Sequence, residues 1–112
     1  MNRAELEHYI VEVYSTLWEN PWAQSPTNNV LRHRHNRKWF AIIMDIPREK
    51  VGLSGEEIIS VVNVKCDPWL IGSFREEPGI FPAYHMNKAH WLTIALDGSA
   101  VRVQERVSRK IT

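Results

Sequence analysis

Apolar residues in the first segment of the chain recur at the spacing of one helical face. The capping-box pair Asn2 and Glu5 precedes that stripe, and Pro21 disfavours helical geometry in the residue before it. The pattern predicts an amphipathic helix that ends by Asn20, followed by a loop over residues 21–29. The apolar stripe consists of Leu6, Tyr9, Ile10, Val13, Tyr14 and Leu17.

Two strand-like runs, residues 30–35 and 38–46, flank Asn36 and Arg37, where asparagine can adopt a positive φ. We therefore predict a hairpin with a short connection. Residues 47–57 are polar and predict a long link to a third strand, residues 58–66. In that strand Val62, Val64 and Cys66 share one face and Asn63 and Lys65 the other, which predicts a sheet exposed to water on one side.

Helix and strand signals continue to the end of the chain. Asp67 before Pro68 is an N-cap signal, and the stop at Pro78 and Gly79 predicts a helix over residues 68–77. Its predicted inward face is Leu70, Ile71 and Phe74. Residues 90–96 predict a strand, and the four-residue recurrence of Val103, Val107 and Ile111 predicts a short closing helix.

The size and composition of the chain indicate one folded unit, which we predict to be a single domain over residues 1–112. The chain has 112 residues, of which 44% are hydrophobic and 24% charged, so it can bury a core without disulfides. The predicted fold class is α+β. We expect a cytoplasmic protein that does not enter a membrane. The chain has a single cysteine, starts without an apolar signal stretch and contains no long apolar run.

The candidate catalytic residues form no recognised motif. His33 and His35 share a strand face, but the spacing of two imidazoles alone is weak evidence for a metal. Cys66 with His85 or His90 could form a nucleophile and base, yet its position beside Val62 and Val64 favours a core residue. The glycines are scattered and form no phosphate loop. We expect no enzyme, no metal and no cofactor.

A basic segment is the clearest binding signal in the residues themselves, although the net charge of the chain is only +1. Arg32, Arg34, Arg37 and Lys38 lie on the predicted hairpin beside Trp39. A two-stranded ribbon can place such residues on DNA phosphates or base edges. Charge on an edge hairpin also guards against aggregation, and both interpretations remain open.

Four motifs in the second half of the chain, taken in order, resemble the MmcQ/YjbR family of small bacterial proteins. They are Asn63-Val64-Lys65-Cys66-Asp67-Pro68, Phe81-Pro82-Ala83-Tyr84-His85-Met86-Asn87-Lys88, His90-Trp91 and Leu96-Asp97-Gly98-Ser99. The resemblance implies an antiparallel sheet flanked by an N-terminal, a middle and a short C-terminal helix, similar to CyaY-like and secretion-chaperone-like folds. Members of the family are commonly described as DNA-binding proteins of a double-wing type.

The leading hypothesis is therefore a non-enzymatic DNA-binding protein with weak sequence preference. Its candidate contacts are Arg32, Arg34, Arg37, Lys38, Asn63, Lys65, His85, Asn87, Lys88, His90 and Trp91. Asn87 and His90 could instead satisfy loop backbone groups. The alternative is a protein- or peptide-binding domain, which an apolar surface of Trp22, Trp69 and Phe81 would favour. We expect a monomer or a weak dimer.

Overall fold

The structure, a computed structural model, describes residues 1–14, 17–19, 28–32 and 36–111. Three α-helices and six strands are present in these residues, and the predicted α+β class is confirmed. None of the described helices is long and apolar enough to cross a membrane. The elements are α1 (Arg3–Tyr14), β1 (Leu17–Glu19), β2 (Asn29–Arg32), β3 (Trp39–Pro47), a 3-10 helix (Arg48–Val51), β4 (Ile58–Lys65), α2 (Pro68–Arg75), β5 (Ile80–Pro82), β6 (Trp91–Ala95) and α3 (Val103–Ile111).

The described strands form one sheet in the order β1-β2-β3-β4-β6-β5, and every neighbouring pair is antiparallel. β4 pairs with β3 along its length and with β6 near its end, where Lys65 lies opposite Trp91. The chain passes from β4 through α2 to β5, and β6 then inserts between β4 and β5. β4 is therefore an interior strand with a partner on each side.

The predicted start of α1 is confirmed. The Asn2 side chain accepts a hydrogen bond from the Glu5 backbone N–H at 2.8 Å, and the Glu5 carboxylate accepts one from the Asn2 N–H at 3.0 Å. Leu6 and Ile10 are fully buried, whereas Val13 is exposed. The helix ends at Tyr14, within the predicted limit of Asn20, but Leu17 of the predicted apolar stripe lies in β1 and not in the helix.

The predicted hairpin is present, but its connection is longer than two residues. Arg32 pairs with Trp39 across β2 and β3, the described residues 36–38 belong to neither strand, and the register shifts between Leu31 and Arg32. The positive φ is found at Arg37 (59°) instead of Asn36. The Asn36 side chain accepts a hydrogen bond from the Lys38 N–H at 2.9 Å, which closes the end of this connection.

The sheet is buried on both faces, so the predicted water-exposed face is wrong. All three helices contribute to a core on one face, the helix face, through Leu6, Ile10, Ile71, Val103 and Val107. A second apolar cluster lies on the other face and includes Ile42, Ile59 and Val61. Connecting segments cover this loop face, with Val51 and Leu53 from one link and Tyr84 and Met86 from another.

The later elements largely follow the sequence signals. Asp67 caps α2 by accepting a hydrogen bond from the Trp69 N–H at 3.0 Å, and the buried Val103 and Val107 confirm the closing helix. α2 ends at Arg75, and the short strand β5 was not predicted. Gly79 connects the two with a φ of 75°, and a Cβ there would lie 2.6 Å from the Ala100 nitrogen.

An ion-pair network joins α1 to the sheet. Arg3 contacts Asp45 of β3 at 2.8 Å and Glu7 at 2.7 Å, and the Ser60 hydroxyl donates to Asp45 at 2.6 Å. Burial alone would raise the pKa of Asp45. The hydrogen bonds from Ser60 and Arg3 and the charge of Arg3 outweigh that effect and hold the pKa of Asp45 below its ordinary value.

This network predicts a pH-dependent stability difference between the wild type and Asp45→Asn. Because the folded pKa of Asp45 is lowered, its ionised form stabilises the fold above the ordinary value near 3.8, and that contribution is lost as pH falls further. We expect Asp45→Asn to lower the free energy of unfolding by about 1 kcal/mol near neutral pH. Urea unfolding at a series of pH values should show the difference shrinking below about pH 4.

The control variant is Glu12→Gln, which removes an exposed carboxylate from α1, the helix that carries Arg3. It should leave the unfolding free energy close to that of the wild type at each pH. A gap between the wild type and Asp45→Asn that stays constant down to acidic pH would contradict the proposed stabilisation.

Candidate nucleic-acid interface

Several predicted contact residues come together at one end of the sheet. The end of β2, the start of β3, the end of β4 and the start of β6 all lie there, as the pairs Arg32–Trp39 and Lys65–Trp91 show. Three strand spacings separate β2 from β6, which is a width of ~14 Å. The antiparallel order therefore brings residues far apart in sequence to a single edge.

The hairpin presents cations at this end. Arg37 and Lys38 are exposed. Arg32 donates a hydrogen bond to the Arg37 carbonyl at 2.9 Å, and its guanidinium lies 5.2 Å from the centre of the Trp39 ring. Arg32 thus stabilises the hairpin, while Arg37 and Lys38 are the residues directed to solvent. Arg34 lies outside the described residues.

Lys65 and His90 are exposed beside each other where β4 ends and β6 begins. The Cys66 N–H donates to the His90 carbonyl at 2.7 Å, which fixes the segment before β6 against the end of β4. By strand alternation Lys65 lies on the loop face, as Asn63 does. Trp91, opposite Lys65, is only 6% exposed, so it supports this surface from within and offers no stacking face.

Asn63 is a core residue. It is fully buried, and its side-chain amide donates to the Tyr84 carbonyl at 2.8 Å. The Thr93 hydroxyl donates to the side-chain oxygen Oδ1 of Asn63 and accepts a hydrogen bond from the Tyr84 N–H at 2.9 Å. These contacts hold the segment after β5 against the sheet, and they leave Asn63 no access to DNA.

The same segment turns back towards β6 through Asn87. Its side chain accepts a hydrogen bond from the Ala89 N–H at 2.8 Å, and its carbonyl accepts from the N–H groups of His90 and Trp91. Asn87 is therefore engaged in local backbone contacts. Lys88 is exposed, and its carbonyl accepts a hydrogen bond from exposed Arg75 at 3.2 Å, which brings another cation to this end.

His85 borders an open depression of about 330 Å³ on the loop face. Lys50, Val51 and Lys88 also line it, and none of the described lining residues is acidic. His85 has a φ of 60°, and its ring meets that of Tyr84 edge-on at 4.0 Å. Lys50 was not among the predicted contacts, because only the fold of the long link brings it to His85, 35 positions away in sequence.

The candidate catalytic and metal-binding groups do not converge in the described part of the chain. No group of three or more histidine, cysteine or acidic side chains there could hold a metal ion. Cys66 is 7% exposed, and its thiol donates a weak hydrogen bond to the Asp67 carbonyl at 3.5 Å. His33 and His35 lie outside the described residues.

The apolar surface that would favour a protein partner is not assembled as one patch. Trp69 on α2 is 91% exposed, but Phe81 is partly buried against the cluster on the loop face. α2 packs on the helix face through Ile71, so these two aromatic residues belong to different faces of the sheet. Trp22 lies outside the described residues.

Comparisons with known proteins agree with this architecture. A family model described as YjbR matches residues 4–109, which is nearly the whole chain. The chain belongs to the YjbR family. The uncharacterized protein YyaQ of Bacillus subtilis (strain 168) is 37% identical over 97 residues, which cover 87% of this chain and 82% of that protein.

Solved structures of other bacterial proteins have a similar fold. A crystal structure of a Pseudomonas syringae protein is 41% identical, covers 99% of this chain and 97% of its own, and has a TM-score of 0.94. A Deinococcus radiodurans protein is 20% identical, covers 97% of this chain and 72% of its own, and has a TM-score of 0.63. The first similarity covers nearly the whole of this YjbR-family chain, so the shared fold extends from α1 to α3.

The buried position of Asn63 predicts a large effect of Asn63→Ala on stability. The substitution removes the partner of the Tyr84 carbonyl and of the Thr93 hydroxyl inside the core, which costs about 2 kcal/mol. Thermal unfolding should show a melting temperature lower by roughly 8 °C, at about 4 °C per kcal/mol for a domain of this size.

Asn87→Ala is the matched control, because it removes the same amide from an exposed turn. We expect its melting temperature to fall by less than half as much. Equal losses in the two variants would contradict the assignment of Asn63 to the core.

Proposed function

We propose that the chain is a non-enzymatic DNA-binding protein that contacts duplex phosphates through one basic surface. This surface consists of Arg37, Lys38, Lys50, Lys65, His85, Lys88 and His90. The observation that carries the proposal is the convergence of these exposed groups, from four separate segments, on one end and the adjoining loop face of the sheet.

The distribution of charge supports phosphate contact. No described carboxylate forms an ion pair with Lys50, Lys65 or Lys88, whereas the described ion pairs involve Arg3 and Arg106. Asp67 is the acidic residue nearest in sequence to Lys65, and its side chain already accepts the Trp69 N–H. Lysine and arginine side chains in this arrangement supply the sequence-independent part of DNA binding.

The side chains that could read bases are few, so the preference for sequence is expected to be weak. Asn63 and Trp91 are buried, and Asn87 is engaged in its own turn. The remaining contacts are lysines, an arginine and imidazoles, which suit phosphate oxygens better than a defined pattern of base edges. A net charge of +1 further predicts low affinity that depends steeply on salt.

The test is fluorescence anisotropy of a short labelled duplex, titrated with protein at salt concentrations between about 50 and 200 mM. We expect Lys65→Ala/Lys88→Ala to weaken binding. Each lost phosphate contact makes the slope of log K against log salt shallower by about 0.9, so the double variant should lose about 1.8. The effect should be similar for duplexes of different sequence.

Two controls separate charge at this surface from charge in general. Lys65→Arg/Lys88→Arg keeps both charges and should retain the wild-type slope. Arg102→Ala removes an exposed cation at the start of α3, on the helix face, and should leave binding unchanged. No low-salt binding, or an equal loss in Arg102→Ala and the lysine double variant, would reject the proposed surface.

A second candidate function, protein binding, is favoured by the exposure of α2. Trp69 is 91% and Leu70 48% exposed, and interface cores are enriched in tryptophan. The simplest partner is a second copy of the chain. Sedimentation velocity should then show association that rises with concentration and that Trp69→Ser removes, while association unaffected by this change would exclude α2 as the contact.

A further inference from the structure

The open depression on the loop face brings cationic side chains together around a concave surface. Its volume of about 330 Å³ lies at the lower end of the range of small-molecule sites. Lys50 lines it from the 3-10 helix, and His85 and Lys88 line it from the loop after β5 (residues 83–90). None of the described lining residues carries a carboxylate. The charges of this depression therefore favour an anion.

Hydrogen bonds hold both segments that carry these cations. In the 3-10 helix, the Gly52 N–H donates to the Glu49 carbonyl at 3.1 Å. In the loop after β5, the Tyr84 N–H donates to the Thr93 hydroxyl at 2.9 Å, and the Tyr84 carbonyl accepts from the Asn63 side chain at 2.8 Å. The backbone of the depression is thus set before a ligand arrives, which lowers the ordering cost of binding.

Much of the remaining lining is apolar. Ala83 is fully buried, Val51 is partly buried, and Pro82 is exposed. A bare inorganic anion would contact the cations and leave these apolar groups to water. A ligand that carries its anionic group on a carbon skeleton, such as a sugar, contacts both kinds of side chain.

The cationic groups match a phosphate monoester. Such a group carries about two negative charges at neutral pH and three acceptor oxygens. Lys50 and Lys88 supply two positive charges, and the His85 ring supplies an N–H donor. A phosphodiester inside a duplex carries only one charge and has a sugar on either side, so it suits a flat or convex contact. A terminal phosphate has one free side and can enter a depression.

We propose that this depression binds a terminal phosphate monoester on a sugar, the group shared by a 5′-phosphorylated DNA strand end and a free nucleotide. The phosphate lies between Lys50 and Lys88, and the sugar contacts Val51. For a strand end the inference rests on the proposed function, because the depression belongs to the same basic surface. A free nucleotide requires no duplex binding.

The test has two arms. Fluorescence anisotropy at about 50 mM salt compares 3′-labelled duplexes that end in a 5′-phosphate or a 5′-hydroxyl, and we expect the phosphate to tighten binding roughly tenfold. In the second arm, thymidine 5′-monophosphate is titrated into the isotope-labelled chain. We expect saturable amide shifts at Val51, His85 and Lys88, and none with thymidine, which lacks the phosphate.

Matched lysine variants test the location. Lys50→Gln should reduce the gain from the 5′-phosphate to less than about threefold, whereas Lys50→Arg keeps the charge and should keep the gain. Lys38→Gln removes an exposed lysine of the same basic surface that does not line the depression. It should weaken both duplexes alike and leave the gain intact. An equal reduction of the gain by Lys38→Gln and Lys50→Gln would overturn the assignment to the depression.

The outcomes separate this inference from duplex binding. A 5′-hydroxyl duplex that binds, with no gain from the phosphate and no shifts with the monophosphate, would overturn the inference and leave duplex contact standing. Shifts with the monophosphate but no binding of either duplex would support the inference, assign a free nucleotide as the ligand and reject duplex contact. A gain from the 5′-phosphate without shifts from the monophosphate would support it and assign the strand end.

Discussion

β4 lies between two partner strands and is buried on both faces, so other segments of the chain must pack on each face of it. The helices cover one face with Leu6, Ile10 and Val107. No described α-helix lies on the other face, where connecting segments, among them the 3-10 helix, provide the cover. Those segments contain backbone groups that must be satisfied when buried. Asn63 and Thr93 satisfy those of Tyr84, and the loop thereby becomes part of the core.

This arrangement explains why the polar family motif combines scaffold and surface. Asn63 and Lys65 are two residues apart on the same face of β4, yet one is fully buried and the other exposed, because the loop covers only the first. Asn87 turns the chain back to β6 and leaves Lys88 exposed. The side-chain amides of Asn63 and Asn87 thus determine where the neighbouring cations lie.

Local signals in the sequence were sufficient for much of the fold. The Asn2–Glu5 capping box, the Asp67 cap and the spacing of Val103 and Val107 depend on residues within one turn, and all are present. Contacts between distant segments determine the position of Lys50 beside His85, the pairing of β5 and the segment that covers Asn63. Alternation along β4 could show which residues share a face, but it carries no information on what covers that face.

A net charge of +1 is compatible with a basic surface because, in the described residues, cations on the helix side form ion pairs with carboxylates and the lysines on the loop side do not. On the helix side, Arg3 pairs with Glu7 and Asp45, and Arg106 pairs with Glu77, so much of that charge cancels within contact distance. On the loop side, no described carboxylate pairs with Lys50, Lys65 or Lys88. Salt screens charges over about 8 Å under physiological conditions, so a partner at this surface responds mainly to the nearby lysines. The local pattern, more than the total charge, therefore determines how an anionic partner is attracted.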